Sequence, residues 1–132
     1  MKVLLINKFF NPVGGEEVYL NEMASILEKK GHEVSVFSTR HPDNLPTLYE
    51  RYFIDRSEID VEFSGMSLWG KIKLFPRLIY NTRAHSKLKE LLKDVRPDVA
   101  HIFNIGYYLT PSIIYALKQE GIPIIQSVNN YK

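Results

Sequence analysis

The sequence predicts an α/β domain built on a mainly parallel, doubly wound sheet, because short apolar runs alternate along it with helical patterns. Residues 3–6 form a continuous apolar run, which is typical of a strand buried on both faces. Residues 16–30 carry apolar side chains at helical spacing, acids in the first turn and lysines in the last, and Gly31 follows as a helix stop. Residues 34–37 form the second strand. The first forty residues therefore predict one βαβ unit.

The C-terminal third repeats this alternation. Residues 86–95 predict a helix with leucines on one face, and residues 99–103 predict a strand. Thr110 is a candidate N-cap for the next helix, because a proline at the first helical position follows it. Gly121 ends that helix, and residues 122–127 form the last predicted strand.

The middle of the chain has weaker patterns. Residues 41–60 are rich in Pro, Asp and Arg and predict a long excursion. Residues 61–63 could form a short third strand. Residues 67–80 could form a helix, although Gly70 and Pro76 disfavour it.

Composition restricts the functional class. The chain has 132 residues, which fits one domain, and its net charge of +2 is too small to imply nucleic-acid binding. It contains no cysteine, which excludes disulfides, thiolate metal sites and a cysteine nucleophile. The four histidines lack metal-ligand spacing, so we expect no metal. We see neither a signal peptide nor a membrane-spanning run, and expect the protein in the cytoplasm, free or on the inner membrane surface.

A glycine pair, Gly14-Gly15, lies between the first strand and the first helix. Backbone N–H groups and the helix dipole favour an anion there, and glycines let a phosphate or sugar approach closely. The loop lacks both the three-glycine dinucleotide fingerprint and the Lys-Ser/Thr pair of a P-loop. The alternative interpretation is a tight turn that needs positive φ.

Polar residues follow two of the predicted strands. His101 and Asn104 lie at the carboxyl end of one, where open α/β sheets bind ligands. His101 could bind a ligand or move a proton, or it could be a satisfied, half-buried histidine. Asn129 and Asn130 follow the last strand and could bind sugar hydroxyls, or form a turn.

Basic and aromatic residues are interleaved in residues 69–93. Trp69, Lys71, Lys73 and Arg77 open this stretch, which suits an anionic ligand or membrane surface. For residues 86–95 the alternative of an ordinary amphipathic helix with a solvated face is preferred.

These segments together resemble glycosyltransferase family 4, whose members are retaining, nucleotide-sugar-dependent enzymes of the two-domain GT-B architecture. The resemblance lies in KVLLI at 2–6, GGE at 14–16, KGHEVSV at 30–36, RPDVAHIFN at 96–104, LTPSI at 109–113, GIPIIQS at 121–127 and NNYK at 129–132. It implies a Rossmann-like domain with helices on both faces of the sheet, namely the N-terminal half of the architecture. Two positions depart from the family pattern, because Phe103 and Asn129 stand where histidine is common.

The resemblance also implies roles. Gly14 and Gly15 would lie under the donor diphosphate, and Glu16 and Asn104 would line the acceptor side. The catalytic group would comprise His101, Asn129 and Asn130. The acceptor would be a saccharide or a lipid-linked saccharide, bound with the help of Trp69, Lys71, Lys73 and Arg77. A nucleotide sugar is expected as substrate, with no metal or other cofactor.

We expect residues 1–132 to be a single domain cut from a longer enzyme that carries a C-terminal nucleotide-sugar-binding domain and is inactive without it. The alternative is a stand-alone binding module, or one subunit of a split enzyme whose partner supplies the donor half. A dinucleotide-dependent oxidoreductase is disfavoured, because Thr39-Arg40 stands where a ribose-binding acid is expected after the second strand.

Overall fold

The computed structural model describes residues 1–11, 14–55, 69, 82–105, 109 and 112–127. Strands and helices alternate through this part of the chain, as the sequence predicts. The elements are β1 (Lys2–Ile6), α1 (Gly15–Lys29), β2 (Glu33–Phe37), β3 (Thr39–Arg40), a 3-10 turn (Glu50–Tyr52), β4 (Ile54–Asp55), α2 (Thr82–Val95), β5 (Val99–Ile102), α3 (Ser112–Gln119) and β6 (Ile124–Gln126).

The main sheet has four parallel strands in the order β2-β1-β5-β6. Val3 of β1 lies between Val34 of β2 and Val99 of β5. β1 is therefore an inner strand, and this explains its unbroken apolar sequence, because a strand covered on both faces has no polar side.

Alternate residues of β1 enter two separate cores, one on each face of the sheet. Leu4 and Ile6 pack with the buried leucines of α2 and with Ile113 and Leu117 of α3. Val3 and Leu5 pack with Leu20 and the apolar side of α1. The doubly wound α/β architecture with helices on both faces is thus confirmed.

Left-handed residues follow the last residues of α1, α2 and α3. Gly31 after α1 has φ +88°, and Gly121 after α3 has φ +68°. In each case the next backbone N–H, on His32 or Ile122, returns to a carbonyl of the last turn at 3.0 Å, as in a Schellman cap. α2 ends instead at Arg96, which has φ +50° and precedes Pro97.

A two-stranded parallel sheet follows β2, and its second strand, β4, lies within the excursion predicted at residues 41–60. β3 pairs with β4, and the backbone N–H of Ile54 donates to the Ser38 carbonyl at 3.2 Å. The Thr39 hydroxyl donates to the Lys8 carbonyl at 2.5 Å, which fixes the small sheet to the loop after β1. Strands of two residues carry too few side chains for a period to be recognised.

The last strand is shorter than predicted, at three residues. The Pro123 carbonyl accepts from the Ala100 N–H at 2.9 Å, but Pro123 has no N–H to donate in return. The paired residues of β5 and β6 therefore begin one residue later, at Ile124. The predicted strand at 61–63, the helix at 67–80 apart from Trp69, and the N-cap at Thr110 lie outside the described residues.

Candidate functional site

The carboxyl ends of β1 and β5 are adjacent and form the topological switch point of the sheet. From β1 the chain passes through α1 to β2 on one side, whereas β5 lies on the other side of β1. Connections that diverge in this way leave a crevice at the carboxyl ends of the strands, where open α/β sheets bind ligands. The glycine loop follows β1, and Asn104 follows β5, so both predicted motifs face this crevice.

Asn7 connects the two strand ends. It is fully buried, and its backbone N–H donates to the Phe37 carbonyl at 3.2 Å. Its side-chain Oδ1 accepts from the backbone N–H of Asn104 at 3.2 Å, while Nδ2 donates to the Phe9 carbonyl at 2.9 Å. The Lys8 N–H donates to the Asn104 carbonyl at 2.6 Å. Hydrogen bonding between β1 and β5 thus continues past the last paired residues of both strands.

The two glycines of the loop differ in their surroundings. Gly14 is the N-cap of α1, with φ −114° and ψ 166°, so it does not need positive φ. A Cβ on Gly14 would lie 2.1 Å from Oε2 of Glu17, a buried carboxylate whose other oxygen accepts from Asn7 Nδ2 at 3.4 Å. A Cβ on exposed Gly15 would meet nothing within 4 Å. Packing against Glu17 therefore explains why position 14 holds a glycine, whereas no contact with the described residues requires a glycine at position 15.

Glu16 and Asn104 come together across the crevice. Asn104 Nδ2 donates to Glu16 Oε2 at 3.4 Å, and both side chains are half-buried. Glu16 is held in the first turn of α1, where the helix dipole favours a carboxylate. The pair presents a carboxylate and an amide beside the open Gly15 backbone.

His101 is held by contacts on two sides. Its Nε2 lies 2.7 Å from Ser127 Oγ at the end of β6, and its ring stacks on Phe103 with centroids 4.4 Å apart and 18° between the planes. Tyr19 of α1 meets the same Phe103 ring edge-on at 5.8 Å. Partial burial lowers the pKa of the His101 imidazole below its ordinary value of 6.5, so the ring is neutral at neutral pH. These surroundings agree with a satisfied, half-buried histidine, and its catalytic role stays a prediction.

Comparison with known proteins decides the family. The sequence pattern described as Glycosyltransferase Family 4 matches residues 13–131. The chain belongs to glycosyltransferase family 4. It is also 28% identical over 114 residues to an "Uncharacterized 42.6 kDa protein in cps region" of Klebsiella pneumoniae, an alignment that covers 80% of this chain and 31% of that protein. The chain thus spans about a third of the length of this relative.

Several site residues predicted from the family resemblance lie outside the described residues: Asn129, Asn130, Lys71, Lys73 and Arg77. Trp69 is described, and its side chain is 75% exposed. Within the described ranges, no helix is long and apolar enough to cross a bilayer. Among the same residues, no three Asp, Glu or His side chains lie close enough together to hold a metal ion.

Three residues of this family 4 domain were missed at the sequence level: Asn7, Glu17 and Ser127. Asn7 and Ser127 lie at the carboxyl ends of strands, and a position near such an end is the signal by which His101 was selected. The same rule applied to every strand would have found both. Glu17 was recognised only as a charge in the first helical turn. Its burial against Gly14 has no local sequence signature.

Proposed function

We propose that this chain is the acceptor-binding N-terminal domain of a retaining glycosyltransferase, which moves a sugar from a nucleotide-sugar donor to a saccharide or lipid-linked acceptor. Membership of family 4 supports glycosyl transfer as the reaction class. The relative is about three times longer than the aligned part, which supports a donor-binding domain elsewhere in a longer polypeptide. In the alternative arrangement, a partner subunit supplies that domain.

One observation carries the proposal: Gly15, Glu16 and Asn104 meet at the switch point between β1 and β5. The open Gly15 backbone at the start of α1 suits a donor diphosphate, because unpaired N–H groups and the helix dipole attract negative charge. The space around Gly15 supports this proposal, because a Cβ built on Gly15 would meet nothing within 4 Å.

The polar side chains of the crevice suit sugar hydroxyls. The Glu16 carboxylate can accept hydrogen bonds, and the Asn104 amide can both donate and accept them. His101 is neutral, so it can take part in a hydrogen bond without carrying a charge into the crevice. We assign no protein nucleophile, and Asn129 and Asn130 remain proposed contacts to the transferred sugar.

The first experiment measures the size of the native polypeptide in its source cells, by blotting with an antibody raised against this chain. We expect a product roughly two to three times longer, because a second domain of similar size is needed. A product of this chain's own size would refute the single-polypeptide form, and a pull-down would then test the partner-subunit form.

The second experiment measures transfer from a panel of nucleotide sugars by the native polypeptide, and the anomeric configuration of the product by NMR. Gly15→Leu places a side chain where a diphosphate is proposed to lie, so transfer should fall at least about a hundredfold while folding is kept. Ser25→Leu, on the exposed side of the same helix, is the matched control. Equal activity of the two variants would exclude the loop from the donor site, and an inverted product would refute retention.

The stretch beginning at Trp69 is proposed to contact the acceptor or an anionic membrane surface. The exposed indole supports this, because tryptophan favours the membrane–water interface. Sedimentation with anionic liposomes at low salt tests the membrane form, with Trp69→Ala as the variant and neutral liposomes as the control. Failure of the chain to sediment with anionic liposomes would refute membrane contact.

A further inference from the structure

Tyr19 is a half-exposed aromatic residue on the side of α1 that borders the Gly15 crevice. It follows Gly15 by four residues and Glu16 by three, and residues at these spacings lie side by side on a helix. Glu16 in turn contacts Asn104 across the crevice. The Tyr19 side chain is 46% exposed, so a large part of its aromatic surface is available to a bound molecule.

The orientation of the Tyr19 ring is fixed from one side. The ring meets Phe103 edge-to-face, with centroids 5.8 Å apart and 74° between the planes. Phe103 is itself buried and stacks on the imidazole of His101, which lies 2.7 Å from Ser127 Oγ. A side chain that is already held in place loses little conformational entropy when a ligand binds. Tyr19 therefore combines exposure with a fixed position.

Gly15 leaves free space beside the Tyr19 ring. Side chains of a helix lean towards its N-terminus, so the ring leans towards the turn that contains Gly15. In an ordinary helix, the side chain four residues earlier would contact the ring. A Cβ built on Gly15 would meet nothing within 4 Å, not even the Tyr19 side chain. A flat molecule can therefore approach the ring from the side of the crevice.

The charges next to Tyr19 on α1 are acidic. Glu16 lies three residues before it and Glu22 three residues after it, whereas Lys29, the basic residue of this helix, lies in the last turn. Carboxylates repel an anionic ligand, but they accept hydrogen bonds from hydroxyl groups. The backbone N–H groups that favour a phosphate lie at the start of the helix, a turn away from Tyr19. The environment of the ring therefore favours an uncharged ligand that bears hydroxyls.

We propose that an uncharged sugar ring of the acceptor stacks on Tyr19, and that Glu16 accepts hydrogen bonds from its hydroxyls. A pyranose ring has an apolar face of C–H groups, which suits an aromatic ring, and hydroxyls around its edge, which suit a carboxylate. The acceptor assignment rests on the proposed function. The binding of an uncharged sugar does not, because it follows from the exposed ring, the free space at Gly15 and the neighbouring charges.

Saturation-transfer NMR on the chain, without any nucleotide sugar, tests the site. The probes are the methyl glycosides of glucose, galactose and mannose, and those of the corresponding uronates, which carry a carboxylate. Irradiation of the aromatic protons of the protein should transfer saturation to the C–H protons on one face of a neutral glycoside. We expect at least one neutral hexose to bind, and its uronate to bind more weakly, because Glu16 and Glu22 repel the carboxylate.

Variants at two tyrosines localise the binding. Tyr19→Leu can still pack on Phe103 but has no flat ring, so the dissociation constant of the neutral glycoside should rise about tenfold. Tyr19→Phe keeps the ring and should retain most of the affinity. Tyr115→Leu is the matched control and should leave the affinity unchanged, because this exposed tyrosine of α3 lies on the opposite face of the sheet. Unfolding in urea checks that the variants remain folded. Glu16→Gln removes one carboxylate and should narrow the difference in affinity between a hexose and its uronate.

The proposal would be overturned if no neutral hexose binds, if a uronate binds as tightly as its hexose, or if Tyr19→Leu weakens binding no more than Tyr115→Leu does. Transfer assays with the native polypeptide decide the acceptor assignment separately. Tyr19→Leu should raise the KM for the acceptor and leave the KM for the nucleotide sugar unchanged, and an unchanged acceptor KM would overturn that assignment. If the native polypeptide transfers no sugar, the proposed function fails, whereas the sugar site at Tyr19 stands on the binding measurements.

Discussion

Gly14→Ala should destabilise the chain, and part of the cost should come from one contact, between the new methyl group and the Glu17 carboxylate. The Gly14 backbone, at φ −114° and ψ 166°, is open to alanine, so the substitution introduces no backbone strain. The new Cβ would lie 2.1 Å from Oε2 and 3.3 Å from Cδ of Glu17. The carboxylate must therefore rotate away and give up its hydrogen bond with Asn7.

The expected cost has two parts. Alanine is a poorer N-cap than glycine by about 1 kcal/mol. Loss of the Asn7–Glu17 hydrogen bond, which is long at 3.4 Å, contributes about 1 kcal/mol more. The sum is about 2 kcal/mol in the free energy of unfolding, from the same two contributions. Gly15→Ala is the matched control and should change it by less than about 0.5 kcal/mol, because its Cβ meets nothing within 4 Å.

A double-mutant cycle with Glu17→Ala separates the two parts. Once the carboxylate is gone, Gly14→Ala should cost only the capping part, which leaves a coupling free energy of about 1 kcal/mol. Urea unfolding followed by circular dichroism measures all four proteins, and an unchanged slope with denaturant validates the comparison. If Gly14→Ala costs the same with and without Glu17, the reasoning about this contact is wrong.

Three further predictions concern other polar contacts. Because burial lowers the His101 pKa in the folded state, the unfolded state binds a proton more readily at this residue. The free energy of unfolding should therefore decrease as pH falls below 6.5. His101→Gln should reduce this decrease, as measured by urea midpoints across that pH range. Tyr52→Phe removes a hydroxyl that donates to Asp94 and should lower the free energy of unfolding in urea by about 1 kcal/mol. Tyr115→Phe, at an exposed tyrosine, is the control and should leave it unchanged. Equal effects of the two variants would show that the hydrogen bond to Asp94 does not stabilise the fold. Asn7→Ala should cost about 3 kcal/mol in the same assay, because buried partners lose their hydrogen bonds, and a cost below about 1 kcal/mol would contradict its connecting role.

The parts of the fold that the sequence predicted are those with a repeating side-chain pattern. β1, α1, β2, α2 and β5 carry apolar runs or helical spacing over four or more residues, and all were placed within a few residues of their bounds. The small β3–β4 sheet was missed, because two-residue strands are defined by long-range pairing, such as the bond from Ile54 to Ser38. Such pairing leaves no local period.

The candidate site was predictable to the extent that it follows from topology. A parallel sheet brings the ends of β1 and β5 together, so a loop after one strand and a polar residue after the other must be neighbours. Sequence could not show that Glu16 pairs with Asn104, or that Gly14 packs against Glu17 whereas Gly15 has open space around it. Those statements depend on side-chain rotamers and on packing at ångström scale.

Phe103 stands where the resemblance to the family predicts a histidine, and its surroundings show what phenylalanine does there. A second histidine at this position would bring another titratable group beside His101, whereas phenylalanine gives an apolar face for the imidazole to stack on. The same ring is buried beneath Tyr19 of α1, so the orientation of His101 depends on the helix that begins at the glycine loop. Ser127 then fixes the opposite, polar side of the imidazole by its 2.7 Å contact with Nε2. A neutral histidine held in this way has one ring edge committed to the protein, so any contact with a bound sugar must use the other nitrogen or the exposed part of the ring.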